Sequence, residues 1–392
     1  MTHTIGIPLI GGSRWVAGWG YMMNLVETLA AFGPAELEAC VLAGSDQRDH
    51  PDLLRLSELP RTRVVWDERL DPASKSRRLA QAIVTGRDSA ALDVFRSSGI
   101  DVIFEVANFF GWRLPIPAIA WIPDFQHRAL PQFFTRAIWL RREVGLRAQI
   151  GSGRTVMLSS RAAEADCLEF YPGSRGRTRV VSFAVATDRE RSVDDAIATA
   201  RALGLGERFF FLPNQLWAHK NHRVAIEAAA VLKRMGDSSM IVATGPASDH
   251  RAPKLREELD ALIATLGVAD QFRFLGHISY PQVRALGLCC TAAINPSRFE
   301  GWSTTVEEAK AQGTPLLLSD LPVHREQATT AARFFGPDDP AQLAELIRST
   351  PTRSPAEIER HRAQAAALNE TRRREFAAAF ADVVEGALEM KR

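Results

Sequence analysis

Short apolar runs alternate with amphipathic helical patterns along almost the whole chain. In the first half, the apolar runs predict strands, and helical patterns such as 21–32 and 161–170 separate them. The predicted strands of this half are 5–10, 39–42, 63–65, 102–105, 118–121, 156–159 and 180–183. Apolar strands that alternate with helices are typical of βα units around a buried parallel sheet.

A second series of the same kind begins near residue 209. Its predicted strands are 209–212, 240–244, 272–275, 292–295 and 315–319, and its predicted helices are 221–235, 253–266, 281–288 and 304–312. The polar segment 184–200 between the series predicts an interdomain hinge, and the charged, alanine-rich tail predicts a helix over 355–390. We therefore expect an α/β protein with two Rossmann-like domains, whose ligand lies in the cleft between them at the carboxyl ends of the strands.

Composition narrows the class of function. The 48 basic and 46 acidic residues nearly balance, which argues against nucleic-acid binding. The four cysteines are scattered, so we expect no metal site and a reducing, cytoplasmic location. The N-terminus lacks a signal-peptide pattern, and no apolar stretch approaches the roughly 18 residues of a transmembrane helix. We therefore expect a soluble protein.

The segment 295–315 carries the densest chemistry. A buried strand ends there, a loop carries Glu300 and Gly301, and a helix starts near Ser303 or Thr304. The unpaired N–H groups of a helix start suit a phosphate, and a glycine lets the backbone approach an anion closely. Glu300 could then bind sugar hydroxyls and Glu308 a ribose. The alternative is that Glu300 only caps the helix and Glu308 lies on a solvated face.

A second phosphate candidate is Lys220, in the loop between the first strand of the second domain and its helix. A lysine at this position is a mobile point charge that suits a diphosphate. The alternative is a solvated lysine near a helix start. The presence of both candidates in one domain favours a shared phosphate site.

At these residues the sequence resembles family 4 of the retaining glycosyltransferases, which have the GT-B fold. The resemblance rests on a Glu-x7-Glu pair, here Glu300 and Glu308, and on Lys220-Asn221. Further matches are the segments 274–277, 295–297, 313–320, 180–185 and 121–131. The resemblance implies an acceptor domain at 1–190, a nucleotide-sugar donor domain at 191–370, and a C-terminal helix, 371–392, that crosses back to the first domain.

The resemblance also implies roles for individual residues. Glu300 would contact the donor sugar, Glu308 the ribose and Lys220 the diphosphate. The remaining implied donor contacts come from the N–H groups after Gly301, namely Trp302, Ser303, Thr304 and Thr305, from the backbone near His277 and Ile278 at the nucleobase, and from Gly11 and Gly12 near the phosphates and acceptor. Catalysis would proceed with retention and without a metal ion or other cofactor.

The sequence departs from the family pattern in the donor domain. Ser303-Thr304-Thr305 stands where Gly-Leu-Pro is frequent, and its hydroxyls could bind the donor or cap the helix. Asn214, followed by Gln215, stands where many members carry a phosphate-binding arginine. An amide adds no charge, so Arg298, Arg325 or Arg14 would have to compensate.

The first domain departs from the pattern as well. Asp124 and Pro131 keep the spacing of a family motif, but Pro123 replaces its histidine. His127 is close in sequence and could take a role near the sugar. A surface or structurally hydrogen-bonded histidine is the alternative.

The acceptor is poorly specified by the sequence, and a glycan or a lipid-linked saccharide would fit. The segment 133–147 mixes arginines with large apolar residues, which would suit peripheral contact with an anionic membrane at the inner face of the plasma membrane. An ordinary amphipathic helix packed on the first domain is the alternative. The function that the resemblance implies is hexosyl transfer from a UDP- or GDP-sugar in bacterial cell-surface polysaccharide biosynthesis. A GT-B epimerase, a phosphorylase and a non-catalytic binder remain open.

Overall fold

The computed structural model describes residues 2–9, 16–186, 191–246 and 252–390. Within these ranges the chain forms two compact units, and each contains one parallel sheet. The strands of the first sheet are β1 (His3–Pro8), β2 (Leu37–Ala43), β3 (Thr62–Trp66), β4 (Val102–Val106), β5 (Ala118–Trp121), β6 (Thr155–Leu158) and β7 (Thr178–Val180). The strands of the second sheet are β8 (Phe209–Leu212), β9 (Met240–Ala243), β10 (Phe272–Phe274), β11 (Ala292–Asn295), β12 (Leu316–Ser319) and β13 (Ala332–Phe335).

Helices connect the strands in both units. Up to residue 170 they are α1 (Val16–Phe32), α2 (Pro51–Ser57), α3 (Lys75–Thr85), α4 (Ser89–Ser97), α5 (Gln126–Ala129), α6 (Arg136–Gly151) and α7 (Arg161–Phe170). The later helices are α8 (Val193–Ala202), α9 (His222–Arg234), α10 (Leu255–Leu266), α11 (Tyr280–Cys289), α12 (Thr304–Gln312), α13 (Pro322–Gln327), α14 (Pro340–Ser349) and α15 (Pro355–Glu389). Within the described ranges, none of the helices combines the length and the apolar character that crossing a bilayer requires.

The two sheets share one topology. The strand orders are β3-β2-β1-β4-β5-β6-β7 and β10-β9-β8-β11-β12-β13. In each sheet the order reverses beside the first strand, between β1 and β4 and between β8 and β11. The predicted α/β class with two Rossmann-like parallel sheets is therefore confirmed.

The two units are discontinuous in sequence. The first comprises the chain up to Arg128, Arg136–Phe183 and the segment from Thr371 onward, and the second comprises Ala129–Thr135 and Ala184–Glu370. The chain thus leaves the second unit within α15, the long helix predicted for the tail.

The core of the second unit follows from strand alternation. Phe209 and Phe211 pack with α8 and α11 on one face of the sheet, and Phe210 and Leu212 pack with α9 and α14 on the other. All four side chains are buried, because a parallel sheet in a βα unit is covered on both faces. The same alternation fixes the direction of the polar residue that ends β11, as described below.

Part of the predicted hinge at 184–200 is wrong. Residues Val193–Ala202 form α8, which Ser192 caps by accepting a hydrogen bond from the Asp195 N–H at 3.0 Å. Val193, Ala196 and Ala200 are buried against the sheet. The segment looked like a linker because its other positions are polar, but its apolar residues recur at helical spacing.

Candidate functional site

The site lies where the strand order of the second sheet reverses. β8 and β11 are neighbours in the sheet, and both end at the same edge because they run parallel. A short 3-10 turn that ends in Lys220 follows β8, and the loop that carries Glu300 follows β11. Sheet topology therefore brings together two residues that are far apart in sequence.

Lys220 and Glu300 form an ion pair. The Lys220 Nζ donates to Glu300 Oε1 at 2.6 Å, and the two side chains are only 16% and 8% exposed. The Ser297 hydroxyl lies 2.7 Å from the same oxygen, and Asn295 Nδ2 lies 3.5 Å away. The donors converge on Oε1, so among the contacts of the described residues Oε2 is left to accept from a ligand.

The ion pair keeps Glu300 ionised. Burial alone would raise the pKa of this carboxyl. The charges of Lys220 and His324, together with hydrogen bonds from Lys220 and Ser297, outweigh burial and leave the pKa below its usual value. At neutral pH Glu300 therefore acts only as a hydrogen-bond acceptor.

Asn295 links the strand end to the start of α12. Ala293 packs against Val306 and Ala309 of α12, and side-chain alternation along β11 turns Asn295 the same way. Its Nδ2 donates to the Ser303 hydroxyl at 2.8 Å. Asn295 is fully buried, so this bond fixes the first turn of α12 relative to the sheet.

Asn214 extends the network from the other side. Its Nδ2 donates to Asn295 Oδ1 at 3.1 Å, and its Oδ1 accepts from the Thr305 hydroxyl at 3.0 Å. Two groups expected at the donor, the Asn214 amide and the Thr305 hydroxyl, are therefore hydrogen-bonded to each other inside the protein. Their donor-binding roles stay predictions.

Some of the N–H groups at the start of α12 already donate hydrogen bonds within the protein. Ser303 caps the helix by accepting from the Val306 N–H at 3.4 Å, and its own N–H donates to Gln327 Oε1 at 3.1 Å. The N–H groups of Thr304 and Thr305 have no partner among the described residues. These two groups lie at the positive end of the helix dipole, where a negative charge is favoured. Their role in binding phosphate stays a prediction.

Gln327, from α13, is a residue that sequence reasoning missed. Its amide pairs with both backbone groups of Ser303, since Nε2 also donates to the Ser303 carbonyl at 2.8 Å. The same Nε2 lies 2.9 Å from Glu307 Oε1, which also accepts from Lys310 at 2.7 Å. Gln327 thus holds Ser303, the capping residue of α12, in place. No feature of the segment 295–315 predicts this contact.

Glu308 lies next to a different set of groups. The Tyr280 hydroxyl donates to Glu308 Oε1 at 2.8 Å, and Arg284 lines the same small pocket as Glu308 and Thr305. Burial raises the pKa of Glu308, and the charge of Arg284 and the Tyr280 hydrogen bond only partly offset this. Arg284 is buried, and sequence reasoning did not single it out.

The other predicted donor contacts surround this centre. Gly301 is buried, and Trp302 is half-buried with the Lys310 ammonium 5.7 Å from its ring centroid. Gln215 lies against Gly245. A Cβ atom added to Gly245 would lie 3.0 Å from the Cα of Gln215. His277 is exposed and Ile278 half-buried in the loop before α11. Gly11, Gly12 and Arg14 lie outside the described residues.

The two described arginines considered as compensating charges are already paired. Arg298 donates to Asp338, and Arg325 forms a two-bond contact with Asp320 at 2.7 and 2.8 Å. Both acidic partners are more than two-fifths exposed, so each pair is a surface contact. In this structure neither arginine supplements the charge of Lys220.

In the first unit, His127 is part of a buried network. Its ring is 0% exposed, and Nε2 lies 3.1 Å from Glu143 Oε2, which also accepts from the Tyr171 hydroxyl at 2.7 Å. Burial lowers the pKa of His127 more than Glu143 raises it. This is the structurally hydrogen-bonded histidine that the sequence left as an alternative. Asp124 accepts from Arg142 at 2.6 Å, and the catalytic roles of both residues stay predictions.

The fold has known counterparts. Anabaena Alr3699/HepE, solved in complex with UDP, matches with a TM-score of 0.67 at 15% sequence identity over 98% of this chain and 100% of that chain. The chain therefore has the GT-B fold. Residues 195–382 match the family described as Glycosyl transferases group 1.

Two curated relatives align with parts of the chain. The O-antigen chain mannosyltransferase RfbU of Salmonella typhimurium is 27% identical over 143 residues, which cover 36% of this chain and 38% of RfbU. A D-inositol 3-phosphate glycosyltransferase of Streptomyces avermitilis is 29% identical over 211 residues, covering 51% of this chain and 45% of the relative. The chain thus spans less than half the length of these relatives.

The role of Gln327 in the second unit is testable by a change that keeps the shape of its side chain. Gln327→Glu keeps the shape but replaces the Nε2 donor by a carboxylate oxygen, which faces the Ser303 carbonyl and the Glu307 carboxylate. We expect the free energy of unfolding to fall by about 3–5 kcal/mol, the usual penalty for an unpaired buried charge. Chemical denaturation measures it, with Gln364→Glu, at an exposed position of α15, as the matched control. Equal stability of both variants would contradict the assignment.

The ion pair predicts a pH-dependent stability. The pKa of Glu300 is lowered by folding, so its contribution is present above the unfolded value of about 4.3 and is lost as pH falls through the folded value. At pH 7, Glu300→Gln should unfold with about 1.5–3 kcal/mol less free energy than the parent. This difference should shrink as the pH falls below about 4.

Glu257→Gln, at an exposed position of α10, is the matched control. A stability difference for Glu300→Gln that is constant from neutral to acidic pH would show that the carboxylate charge is not what matters.

Proposed function

We propose that this protein transfers a hexose-type sugar from a UDP- or GDP-sugar to a glycan or lipid-linked acceptor, with retention of anomeric configuration and without a metal ion. The observation that carries the proposal is the buried Lys220–Glu300 pair beside the open N–H groups at the start of α12. In a group 1 domain, this combination offers a cation, two backbone donors and a fixed carboxylate at one strand edge.

The diphosphate would bind at Lys220 and the helix start. An ammonium has three donors, and among the described contacts only one of them is used, by Glu300. The other two can meet phosphate oxygens, together with the N–H groups of Thr304 and Thr305. As the nucleotide leaves, these preorganised groups would stabilise its growing negative charge, and each such donor typically contributes about 3–4 kcal/mol.

The two glutamates would accept hydrogen bonds from the hydroxyl groups of the donor sugar and of the ribose. Glu300 is held through Oε1, so its Oε2 can accept from a hydroxyl of the donor sugar. Glu308, beside Tyr280 and Arg284, would accept from the ribose hydroxyls. The bond between the anomeric carbon and the diphosphate oxygen would break, the acceptor oxygen would bond to the same carbon, and the leaving diphosphate would take the proton of the acceptor hydroxyl.

The relatives support the substrate class. RfbU is an O-antigen chain mannosyltransferase by name, and HepE has been solved with UDP and glucose. The UDP complex supports a nucleotide-sugar donor, and the O-antigen mannosyltransferase supports a role in bacterial cell-surface polysaccharide biosynthesis. We place this activity in the cytoplasm as part of the proposal.

Nucleotide binding tests the ribose assignment. Glu308→Ala should weaken the binding of UDP or GDP roughly ten- to hundred-fold, because a charged hydrogen bond contributes about 1.5–3 kcal/mol. Isothermal titration calorimetry measures it, and Glu257→Ala, at an exposed position of α10, is the matched control. An unchanged dissociation constant for both nucleotides would remove Glu308 from the site.

Turnover tests the diphosphate assignment. A thermal-shift screen of nucleotide sugars identifies the donor, since stabilisation follows affinity, and product analysis then follows the reaction. Lys220→Ala should lower kcat roughly 100- to 1,000-fold, whereas the exposed Lys254→Ala should not. A product formed from the nucleotide sugar alone would indicate an epimerase, consumption of free phosphate a phosphorylase, and binding without any product a non-catalytic binder. Each of these would overturn the proposal.

A further inference from the structure

The first unit has a pocket at the carboxyl edge of its own sheet. The pocket lies beside the ends of β1, β2 and β4, and the strand order of this sheet reverses between β1 and β4. We call it the β1–β4 pocket, and its polar lining side chains are those of Asp46, Gln47, Lys75, Arg78 and Asn108. Parallel sheets bind ligands at such a reversal, and the Lys220–Glu300 pair lies at the corresponding place in the second sheet.

Lys75 is a cation without a partner in this pocket. It is the first residue of α3 and is half-buried, and its side chain forms no hydrogen bond or ion pair within the described part of the chain. Burial and the positive charges of Arg141 and Arg78 all lower the pKa of Lys75. The ammonium has thus lost water without gaining a counter-charge, so an anion beside it would be stabilised.

Arg78 adds an open hydrogen-bond donor rather than net charge. Its Nη1 lies 3.3 Å from Asp88 Oδ2, and the two side chains are only 13% and 4% exposed. Asp88 also accepts from the Ala91 N–H at 3.0 Å, which fixes the carboxylate and with it the guanidinium. The Arg78 Nε is buried and has no hydrogen-bond partner among the described residues. A ligand that accepts from it would remove the cost of that buried, unsatisfied donor.

A strained turn after β4 brings Asn108 to the pocket. Ala107 has a φ of 48°, in the left-handed region that a residue with a Cβ rarely adopts. The Asn108 carbonyl accepts from Gln149 Nε2 at 2.8 Å, and the Phe110 N–H lies 3.3 Å from Oε1 of the fully buried Glu105. Strain of this kind persists where surrounding contacts hold the backbone, frequently at binding sites. The turn is therefore built to hold Asn108 at this edge of the sheet.

The open polar groups of the pocket are mainly donors. The Lys75 ammonium offers three N–H donors and the Arg78 Nε offers one. The side-chain amides of Gln47 and Asn108 have no partner among the described residues, and each offers two more. Among the described lining residues, Asp46 is the one acid, and it is exposed. A sugar hydroxyl needs acceptors as well as donors, whereas a phosphate or a carboxylate needs donors only, so the pocket suits an anion.

Apolar side chains form much of the remaining wall. Leu42 and Phe110 are buried, and Leu9 and Leu70 are half-buried. The effective dielectric constant beside such walls is lower than in bulk water, which strengthens the attraction between a bound anion and Lys75. A small anionic group can therefore be held by few contacts.

We propose that the β1–β4 pocket binds an anionic group, a phosphate or a carboxylate, that the acceptor carries. Sugar transfer needs a binding place for the acceptor besides that of the nucleotide sugar, and this pocket is the counterpart of the donor site in the other sheet. Lys75 would pair with the anion, and the Arg78 Nε and the Asn108 amide would donate hydrogen bonds to it. The inference rests on the proposed function and narrows its acceptor to a charged one.

Calorimetric titration of the full chain with inorganic phosphate tests the pocket. Lys75→Ala should weaken phosphate binding at least roughly ten-fold, because it removes a charge-assisted contact. Lys254→Ala, which removes an exposed lysine of the second unit, is the matched control and should leave the dissociation constant unchanged. The effect of Lys75→Ala should persist with saturating UDP, which would occupy the donor site. No binding of phosphate by the parent, or equal binding by Lys75→Ala, would overturn the proposal.

Two further variants separate charge from shape. Lys75→Gln keeps most of the length of the side chain without its charge, and it should weaken binding as much as Lys75→Ala does. Asn108→Ala, on a different element, should weaken binding roughly ten-fold as well. All three variants should keep the parent's melting temperature, since neither side chain has a partner within the described part of the chain. Full phosphate affinity in Lys75→Gln would show that the positive charge is not what binds.

Sugar ligands identify the carrier of the anion. The probes are glucose 6-phosphate, glucuronate and glucose. At least one charged sugar should bind more tightly than inorganic phosphate, and its affinity should depend on Lys75, whereas any binding of glucose should not. Inorganic phosphate that binds as tightly as both charged sugars would indicate a site for free phosphate and overturn the acceptor assignment. These titrations do not depend on turnover, so a failure of sugar transfer, seen as the absence of a product, is distinguishable from a failure of this proposal.

Discussion

The pairing of Lys220 with Glu300 is the interaction on which the candidate site depends. Both side chains are largely buried, and a buried charge is tolerated only beside a partner. The reversal of strand order between β8 and β11 brings the two loops to one edge, and the ion pair then fixes them relative to each other. The same pair keeps the carboxyl ionised despite its burial. Position, charge state and orientation of the two residues thus have one physical origin.

Around this pair, the protein uses most of its polar groups for its own structure. Asn295, Ser303 and Gln327 tie the end of β11, the cap of α12 and α13 together. Within the described ranges, the groups left open at the centre include two ammonium donors, one carboxylate oxygen and two backbone N–H groups. A rigid frame with few open groups limits the ligands that fit, because a ligand must satisfy those groups without rearranging the frame. A sugar joined to a diphosphate has acceptors for the donors and hydroxyls for the carboxylate.

Local patterns in the sequence predicted much of the fold, because apolar periodicity reports burial directly. The bounds of β5, β8, β11, α7 and α12 agree with the pattern. The pattern did not predict β13 or α14. β13 lies at the edge of the sheet and buries only Phe335, so it has little apolar signal. The Gln327 contact spans 24 residues and arises from packing across β12, which no spacing reveals. The burial of His127 likewise depends on Glu143 and Tyr171, from separate elements.

The most direct measurement is a crystal structure of the protein with UDP or GDP bound. We predict that the diphosphate lies within hydrogen-bonding distance of Lys220 Nζ and of the Thr304 and Thr305 N–H groups. The ribose hydroxyls should meet Glu308, and Glu300 Oε2 should face the position of the donor sugar. A nucleotide bound elsewhere, with the Lys220–Glu300 pair unchanged and no phosphate at the start of α12, would contradict it.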